Sequence, residues 1–451
     1  MQTKLLTQWV IIWVLAIAVL VVIRWRRKIS GSGLVFAFLL NLSLIHWLGA
    51  FIYILPWYEY QWNAQWYRDF SPQWIEDGFR LSFYGLIAFV VGSSIIAPFL
   101  INALQRKKST MNYLSDPRLP KAYVLTGFIC YFVLSRFLGR IPTLASLLSS
   151  GLGLMAAGIC MGLWGAWKDK RRRLFRKWLI FGLSVPPLLT IGGQGFLSFG
   201  AGVFLAVVAF VASFYRPRWK VIVIGILLGY VGLSFYVTYM RDRSLIREAV
   251  WGGQSLPSRI KQMYSMASSF EWFDLYDQNH LKKIDARMNL NLLVGAAVSH
   301  LGKNHNYAKG ETILQSLAAF VPRALWPDKP LKVGGNQLAT RFTGIPFPQE
   351  TSVGIGEVIE FYANFGEVGV IVGFFFMGMI VTIFDAFAKD CFSRGDWRGF
   401  SLWFVPGLTL IEAGSSLVVI TASVGGAFIM TVIVNQWLNR FKGRRLLSVS
   451  Q

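Results

Sequence analysis

Charged residues are scarce in this chain. They make up 15% of its 451 residues, whereas 54% are hydrophobic, and the mean hydropathy is +0.48. A soluble chain of this length would form two or three domains with a charged surface, so the composition excludes that class and indicates a membrane protein. Cysteine is scarcer still: Cys130, Cys160 and Cys391 are the three in the sequence. Their positions give no sign of a disulfide framework or a thiolate metal site.

Motifs for nucleotide and metal chemistry are also missing from the sequence. It contains no phosphate-binding glycine loop ending in Lys-Ser or Lys-Thr, no His-Glu-x-x-His and no Gly-x-Ser-x-Gly. The stretch GGQGFLSFG (192–200) looks like a glycine-rich loop, but its place between two apolar runs predicts a tight turn. We therefore expect no cofactor and no metal, and any reaction must draw its energy from the substrate.

Long apolar runs recur along the chain. Crossing a hydrocarbon core of about 30 Å takes about 20 helical residues. The sequence predicts an all-α, polytopic membrane protein with eleven such helices and one large, mostly helical external loop. The first run is read as a retained helix because a basic cluster follows it and no small-residue cleavage site does. The predicted spans are 8–24, 33–55, 82–104, 121–138, 150–167, 178–193, 196–214, 220–239, 366–388, 399–414 and 416–437.

The net charge of +23 is concentrated in alternate connections. This asymmetry follows the positive-inside rule, and it favours topology and lipid anchors over nucleic-acid binding. It places the N-terminus outside and the C-terminus in the cytoplasm. The basic clusters are RWRRK (24–28), QRKK (105–108), KDKRRRLFRK (168–177), YRPRWK (215–220) and NRFKGRR (439–445).

The predicted topology leaves two long segments outside. Residues 57–80 are rich in Trp and Tyr, which favours a girdle at the membrane interface; stacking on sugars is the alternative. Residues 240–365 are too many for an unstructured loop, so they should fold as short helices over 258–276, 286–301 and 310–321. The chain thus divides into membrane helices (1–239), an external region (240–365), and membrane helices with a basic tail (366–451).

Arginine is the distinctive residue of the external region. A guanidinium offers a planar fork of donors that suits phosphate oxygens, and several converging arginines could hold a pyrophosphate. Pairing with Asp242, Glu248 and Asp285 is the structural alternative. The arginines concerned are Arg241, Arg243, Arg247, Arg259, Arg287, Arg323 and Arg341.

Two strings carry a family resemblance. FVPRALWPDKP (320–330) and EFYANFGEVGVIVGFFFMG (360–378) resemble the signature of Wzy-type O-antigen and exopolysaccharide repeat-unit polymerases. The resemblance covers roughly 240–390, and the helix layout of the whole chain. Arg323 and Gly334 also match the Arg-x10-Gly spacing of some of these enzymes. One departure is Gln194, which stands where related enzymes often carry an arginine.

The resemblance implies a membrane glycosyltransferase of the bacterial plasma membrane. Such an enzyme joins undecaprenyl-pyrophosphate-linked oligosaccharides on the outer face, among membrane lipids and in company with a flippase and a chain-length regulator. The activated glycosyl–phosphate bond removes the need for a nucleotide. Positioned arginines would stabilise the departing pyrophosphate, and a base would accept the proton of the attacking hydroxyl.

Candidate residues follow from these two requirements. The catalytic candidates are Arg323, Glu360, Arg341 and Glu357, with Glu360 favoured as the base; His300, His305 and Asp328 are other possible bases. A role in starting a helix is the alternative for both glutamates. Glu412 could line the path of the glycan or lipid, or lie in water at a helix end. The candidate substrate-binding residues are Arg287, Arg247, Arg241, Trp326, Asp328, Lys329, Tyr362 and Asn364.

Two other functions remain open at this point. An O-antigen ligase shares the layout and the donor but passes the glycan to lipid A-core. A lipid-linked oligosaccharide transporter or flippase would predict broken helices and charges within the membrane.

Overall fold

Helices make up most of the part of the chain that the structure describes. The structure is a computed structural model, and it contains no strand within the described residues. These are residues 2–26, 31–60, 71–105, 116–139, 141–215, 218–304, 306–321, 326, 328–329, 335–348 and 353–448. The prediction of an all-helical membrane protein is confirmed.

Twenty α-helices and three π-helical segments make up the described fold. The π-helical segments are Ser43–Trp47, Gly92–Ile96 and Ile129–Leu134. The α-helices are α1 (Gln2–Arg26), α2 (Leu34–Leu42), α3 (Leu48–Tyr53), α4 (Gln73–Val91), α5 (Ala97–Gln105), α6 (Leu119–Phe128), α7 (Ser135–Leu138), α8 (Pro142–Ser149), α9 (Gly151–Lys168), α10 (Arg172–Gln194), α11 (Ser198–Phe214), α12 (Arg218–Trp251), α13 (Leu256–Ser268), α14 (Gln278–Met288), α15 (Asn291–Asn304), α16 (Glu311–Ala319), α17 (Gly335–Thr343), α18 (Gly356–Ser393), α19 (Trp397–Thr409) and α20 (Leu417–Ser448).

Nine helices in the described part of the chain are long and apolar enough to cross a membrane, against eleven predicted spans. The other two predicted spans are shorter helices: α11 has 17 residues and α19 has 13. Several boundaries also differ from the prediction; α4, for example, begins at Gln73, nine residues before its predicted start. α12 continues to Trp251, and α18 begins at Gly356, ten residues before its predicted start. Charged residues near the ends of these helices hid their true length.

The loop helices pack against the membrane helices. We call the side on which residues 252–355 connect α12 to α18 the loop side. Asn291, at the start of α15, donates to the carbonyl of His46 at 2.8 Å, and its side-chain oxygen lies 2.8 Å from His46 Nδ1. α15 then runs against α4 so closely that a Cβ on Gly78 would meet the carbonyl of Asn291. The predicted external region is therefore built onto the membrane domain.

The predicted helix over 258–276 is shorter in the structure. α13 ends at Ser268, and residues 269–277 form an irregular segment that lies along α12. Ser234 and Thr238 of α12 accept hydrogen bonds from the backbone of Phe273 (2.9 Å) and Glu271 (3.0 Å). These hydroxyls offered the segment a partner that helical periodicity cannot reveal.

A buried ion pair joins the first membrane helix to α18 on the side opposite the loop side. Arg24 donates to Asp385 at 2.8 Å, and both side chains are almost completely buried. The other oxygen of Asp385 accepts from Ser32 Oγ at 3.0 Å and from the backbone nitrogen of Leu34 at 2.9 Å. The carboxylate thus ties the end of α1, the turn before α2 and α18 together. A Cβ on Gly31 would collide with it.

We predict that Asp385→Asn destabilises the protein strongly. Removing one partner leaves the buried guanidinium uncompensated, which costs about 3–5 kcal/mol. The matched control is Asp390→Asn, which breaks a more exposed pair with Arg394 at 2.8 Å and should cost about 0–1 kcal/mol. Thermal unfolding in detergent, followed by tryptophan fluorescence, measures both. Equal shifts in the two variants would contradict the structural role of Asp385.

Candidate functional site

The candidate site is built around a break in α18. Its first nine residues, Gly356 to Asn364, are all buried, and the helix is then interrupted at Phe365 and Gly366. Gly366 has φ +64° and Gly356 has φ +70°, conformations that glycine adopts without a steric penalty. The string EFYANFG therefore ends in a conformational break, and the short half-helix 356–364 presents its side chains to three neighbouring segments.

Asn364 joins this half-helix to α16. Its side-chain oxygen accepts from the backbone nitrogen of Gly310 at 2.9 Å, and its Nδ2 donates to Thr312 Oγ1 at 2.6 Å. The backbone of Ala308 donates to the carbonyl of Ala363 at 2.7 Å. Asn364 therefore provides an acceptor for a backbone N–H at the start of α16, where such groups have no partner within the helix. A substrate-binding role was predicted for it, and these contacts describe a structural one.

Glu360 holds the start of α20. Its Oε2 accepts from the backbone nitrogen of Leu417, the first residue of that helix, at 2.7 Å. A carboxylate at a helix N-terminus accepts an orphan N–H and interacts favourably with the positive end of the helix dipole. The alternative considered for Glu360 was a role at the start of its own helix; the contact observed is with the start of α20.

Glu357 is a buried acid whose carboxylate makes no hydrogen bond to a described residue. Its side chain is completely buried, and neither carboxylate oxygen has a hydrogen-bond partner among the described residues. Buried polar groups are almost always hydrogen-bonded, so such a carboxylate calls for an explanation. It lies one helical turn from Glu360 and within electrostatic range of Glu412. A group in this state can accept a proton or bind a donor that the described residues do not supply.

Glu412 lies in the turn between α19 and α20. Its side chain is exposed, and its Oε2 accepts from Ser415 Oγ at 3.3 Å. It is also within electrostatic range of Tyr131, whose hydroxyl donates to Gln194 Oε1 at 2.7 Å. The acidic residues and the turn after α10 therefore belong to one neighbourhood.

That turn has the predicted form. Gly195, at φ +76°, ends α10, and α11 begins at Ser198. Gln194, which replaces the expected arginine, serves here as a hydrogen-bond acceptor. GGQGFLSFG is confirmed as a tight turn.

Arg247 lies over the turn. Its guanidinium carbon is 4.6 Å from the ring centre of Phe196 and 4.9 Å from that of Trp251. Arg243 and Arg287 are its electrostatic neighbours. Neither Arg243 nor Arg247 forms an ion pair with a described acid. This convergence of three arginines is the arrangement that an anion would require.

Arg241 and Arg341 have carboxylate partners. Arg241 forms ion pairs with Asp242 at 2.8 Å and with Glu271 at 2.5 Å. The second pair connects the segment 269–277 to α12. Arg341 bonds Glu311 at 2.8 Å, which connects α17 to α16. The structural alternative therefore describes the environment of both, and their predicted roles toward substrate stay predictions.

The proline-rich string lies only partly within the described residues. Arg323 falls outside them, as does His305. Trp326 and Asp328 are exposed, whereas Lys329 is buried and donates to the carbonyl of Val321 at 2.7 Å. Lys329 therefore turns back onto the end of α16.

Two other predicted residues are near the half-helix. Tyr362 is buried, with its ring centre 6.1 Å from that of Tyr307. The ring of His300 lies close against Gly344. No three His, Cys, Asp or Glu side chains of the described segments are arranged to hold a metal ion.

Sequence reasoning missed Thr312 and Tyr131. Thr312 stands just after Gly310 and Glu311 at the start of an apolar run, a helix-start pattern that could have drawn attention to it. Tyr131 gave no such signal, because its partner Gln194 is 63 residues away in sequence. Only the packing of α10 beside the π-helical segment brings the two together.

Comparison with known proteins gives a family but no activity. Residues 73–443 match the family described as "Domain of unknown function (DUF8712)", and the chain belongs to it. No curated protein and no solved structure matches the chain.

Substitution of the two buried glutamates should separate their roles. Glu360→Met removes the acceptor for Leu417 and should cost about 1–3 kcal/mol, the penalty of an unsatisfied buried N–H. Glu357→Met removes a carboxylate that has no donor, so unfolding should occur at the same or a higher temperature. Thermal unfolding of the two variants side by side provides the measurement. A large loss of stability in Glu357→Met would mean that the carboxylate has a structural partner.

The Arg241–Glu271 pair should give stability a specific pH dependence. The hydrogen bond from Arg241 lowers the pKa of Glu271 below its ordinary value of 4.5. The folded state therefore favours the carboxylate, and this contribution is present above pH 4.5 and fades as the pH falls through the lowered pKa. Thermal unfolding of the wild type should show a steeper fall below pH 4.5 than Glu271→Gln. Parallel curves for the two proteins would refute the coupling.

Proposed function

We propose that this protein polymerises undecaprenyl-pyrophosphate-linked oligosaccharide repeat units by glycosyl transfer. The observation that carries the proposal is Glu357, a fully buried carboxylate with no donor among the described residues. It lies near the start of the buried half-helix that precedes the break in α18, in a neighbourhood that reaches the turn after α10. The resemblance of residues 320–330 and 360–378 to Wzy-type polymerases supports the same reaction.

In the proposed reaction a sugar hydroxyl of one lipid-linked unit attacks the anomeric carbon of the other. The hydroxyl proton passes to the Glu357 carboxylate as the new C–O bond forms. The bond between the anomeric carbon and the pyrophosphate oxygen breaks, and undecaprenyl pyrophosphate leaves with the bonding electron pair. The glycosyl–phosphate bond supplies the free energy, so the reaction needs no nucleotide.

Arginine is suited to the departing pyrophosphate. Arg243 and Arg247 carry charge that no described carboxylate neutralises, and Arg287 lies near them. Guanidinium groups that face developing negative charge near a low-dielectric boundary stabilise the transition state. Arg323, from the string that carries the resemblance, is proposed to join them on the donor.

The charge asymmetry supports the orientation of the proposed enzyme, and the family resemblance supports its setting. We place it in the bacterial plasma membrane with the N-terminus outside and the C-terminus in the cytoplasm, so that the loop side faces outward. There it would receive substrate from a flippase and act with a chain-length regulator. Nucleic acid is not among the proposed partners.

One observation favours a second candidate, a lipid-linked oligosaccharide transporter. α18 is discontinuous, and the half-helix before its break contains a buried acid with no hydrogen-bond partner among the described residues. Broken helices and unpaired charges of this kind occur at transporter binding sites. An O-antigen ligase is a further alternative, because it would use the same donor with a different acceptor.

Reconstitution tests the proposed polymerase. We expect purified protein in liposomes to lengthen lipid-linked oligosaccharide in the absence of nucleotide and of added metal. Glu357→Gln should slow chain growth by about 10²–10⁴, the usual contribution of a general base. Arg323→Lys should slow it by about 10²–10³, the usual cost of losing a donor or its geometry. Arg394→Lys is the matched control, because Arg394 lies at the far end of α18 and Lys can keep the pairing with Asp390. Product length is read on a gel.

The outcomes separate the candidate functions. Movement of the oligosaccharide across the bilayer without chain growth would replace the polymerase by a transporter. Transfer to lipid A-core, and not to a second lipid-linked unit, would indicate a ligase. Normal polymer from Arg323→Lys would refute the catalytic assignment of Arg323.

A further inference from the structure

α16 carries an exposed apolar strip. Leu314, Leu317 and Phe320 are 68%, 64% and 50% exposed. Their spacing of three residues puts them on one broad side of the helix. The other side packs against α20, where Thr421 Oγ1 donates to the carbonyl of Ser316 at 2.7 Å. An apolar side next to a packed one is what a helix between protein and hydrocarbon presents.

The contacts of α16 with α20 fix its depth. At the start of α16, the backbone nitrogen of Gly310 donates to Asn364. Asn364 is one helical turn from Glu360, which accepts from Leu417 at the start of α20. At its end the carbonyl of Phe320 lies so close to Gly425 that a Cβ there would collide with it. Gly425 is eight residues into α20, or about 12 Å along the helix axis. Because Leu417–Asn439 is a candidate span, α16 enters the hydrophobic layer from the loop side.

Lys329 supplies a hydrogen-bond donor to the carbonyl groups at the buried C-terminal end of α16. Its ammonium donates to the carbonyls of Ala319 (3.3 Å) and Val321 (2.7 Å) at the helix C-terminus. Carbonyls without a helical partner need a donor in a hydrocarbon environment, and a cation there also suits the negative end of the helix dipole. This contact holds Lys329 against the C-terminal end of α16.

The strip begins next to the candidate site. Phe365, which follows Asn364 at the helix break, is 55% exposed, and its ring would touch a Cβ placed on Gly310 at 3.3 Å. Leu314 and Leu317 follow Gly310 by four and seven residues and so continue the same side of the helix. An apolar path therefore runs from the half-helix into the hydrophobic layer.

We propose that this strip binds the hydrocarbon chain of the lipid carrier whose head group occupies the candidate site. The inference rests on the proposed function and names where the chain lies. The strip could contact any long hydrocarbon chain in the same way, so an acyl chain of bulk phospholipid is the competing ligand. The continuity between the strip and the half-helix favours the carrier.

Photo-crosslinking tests this proposal. Leu314 and Leu317 are replaced singly by benzoylphenylalanine, which leaves the packed side of α16 unchanged. Ile226, 68% exposed on α12, is the matched control. Each protein is placed in phospholipid nanodiscs with a trace of radiolabelled undecaprenyl pyrophosphate and illuminated. We expect about tenfold more label at positions 314 and 317 than at 226, a preference worth about 1.4 kcal/mol. Unlabelled carrier should compete with it, and added phospholipid should not.

Two results would overturn the proposal. Equal labelling at positions 317 and 226 would mean contact with bulk lipid only, and absence of label at both 314 and 317 would mean no contact with the chain. Failure of the proposed polymerase function would give a different result. Preferential capture of the carrier without chain growth from any lipid-linked oligosaccharide would support the strip while refuting the polymerase.

Discussion

Backbone groups at the ends of interrupted helices need partners when they lie at membrane depth, and this constraint organises the loop side of the protein. Water is not present in the hydrocarbon to solvate them, so side chains have to do it. Glu360 accepts from the start of α20, Asn364 from the start of α16, and Lys329 donates to the end of α16. These three contacts allow a broken helix and an inserted helix to exist where an uninterrupted span would otherwise be required.

The same constraint separates structural from chemical residues. Glu360 and Asn364 carry the polar chemistry that a site would use, but Asn364 and one of the two Glu360 oxygens are already bonded to helix starts. Glu357, one turn from Glu360 and equally buried, makes no such hydrogen bond to a described residue. Arg241 and Arg341 differ from Arg243 and Arg247 in the same way, because the first pair has acidic partners and the second has aromatic or electrostatic neighbours. A residue whose bonding capacity is not used by the fold is the better candidate for chemistry.

Much of the architecture could be predicted because hydrophobic length is a local property. The apolar runs predicted membrane helices, and GGQGFLSFG predicted a tight turn that Gly195 forms. Helix ends were harder, as α18 shows: Glu357 and Glu360 interrupt the apolar pattern, yet both are buried inside the helix. The helix expected over 258–276 ends at its eleventh residue, Ser268, because hydroxyls of α12 bind the backbone of the irregular segment 269–277.

The sequence by itself determined the class of protein, the helical content and the set of polar residues from which a site could be built, since each depends on composition and short-range spacing. The tertiary structure alone decided which of those residues were committed to the fold. Glu360 and Leu417 are 57 residues apart in sequence, and Asn364 and Gly310 are 54 apart. Only the packing of α16, α18 and α20 brings these partners together, and it leaves Glu357 beside them with both oxygens unused.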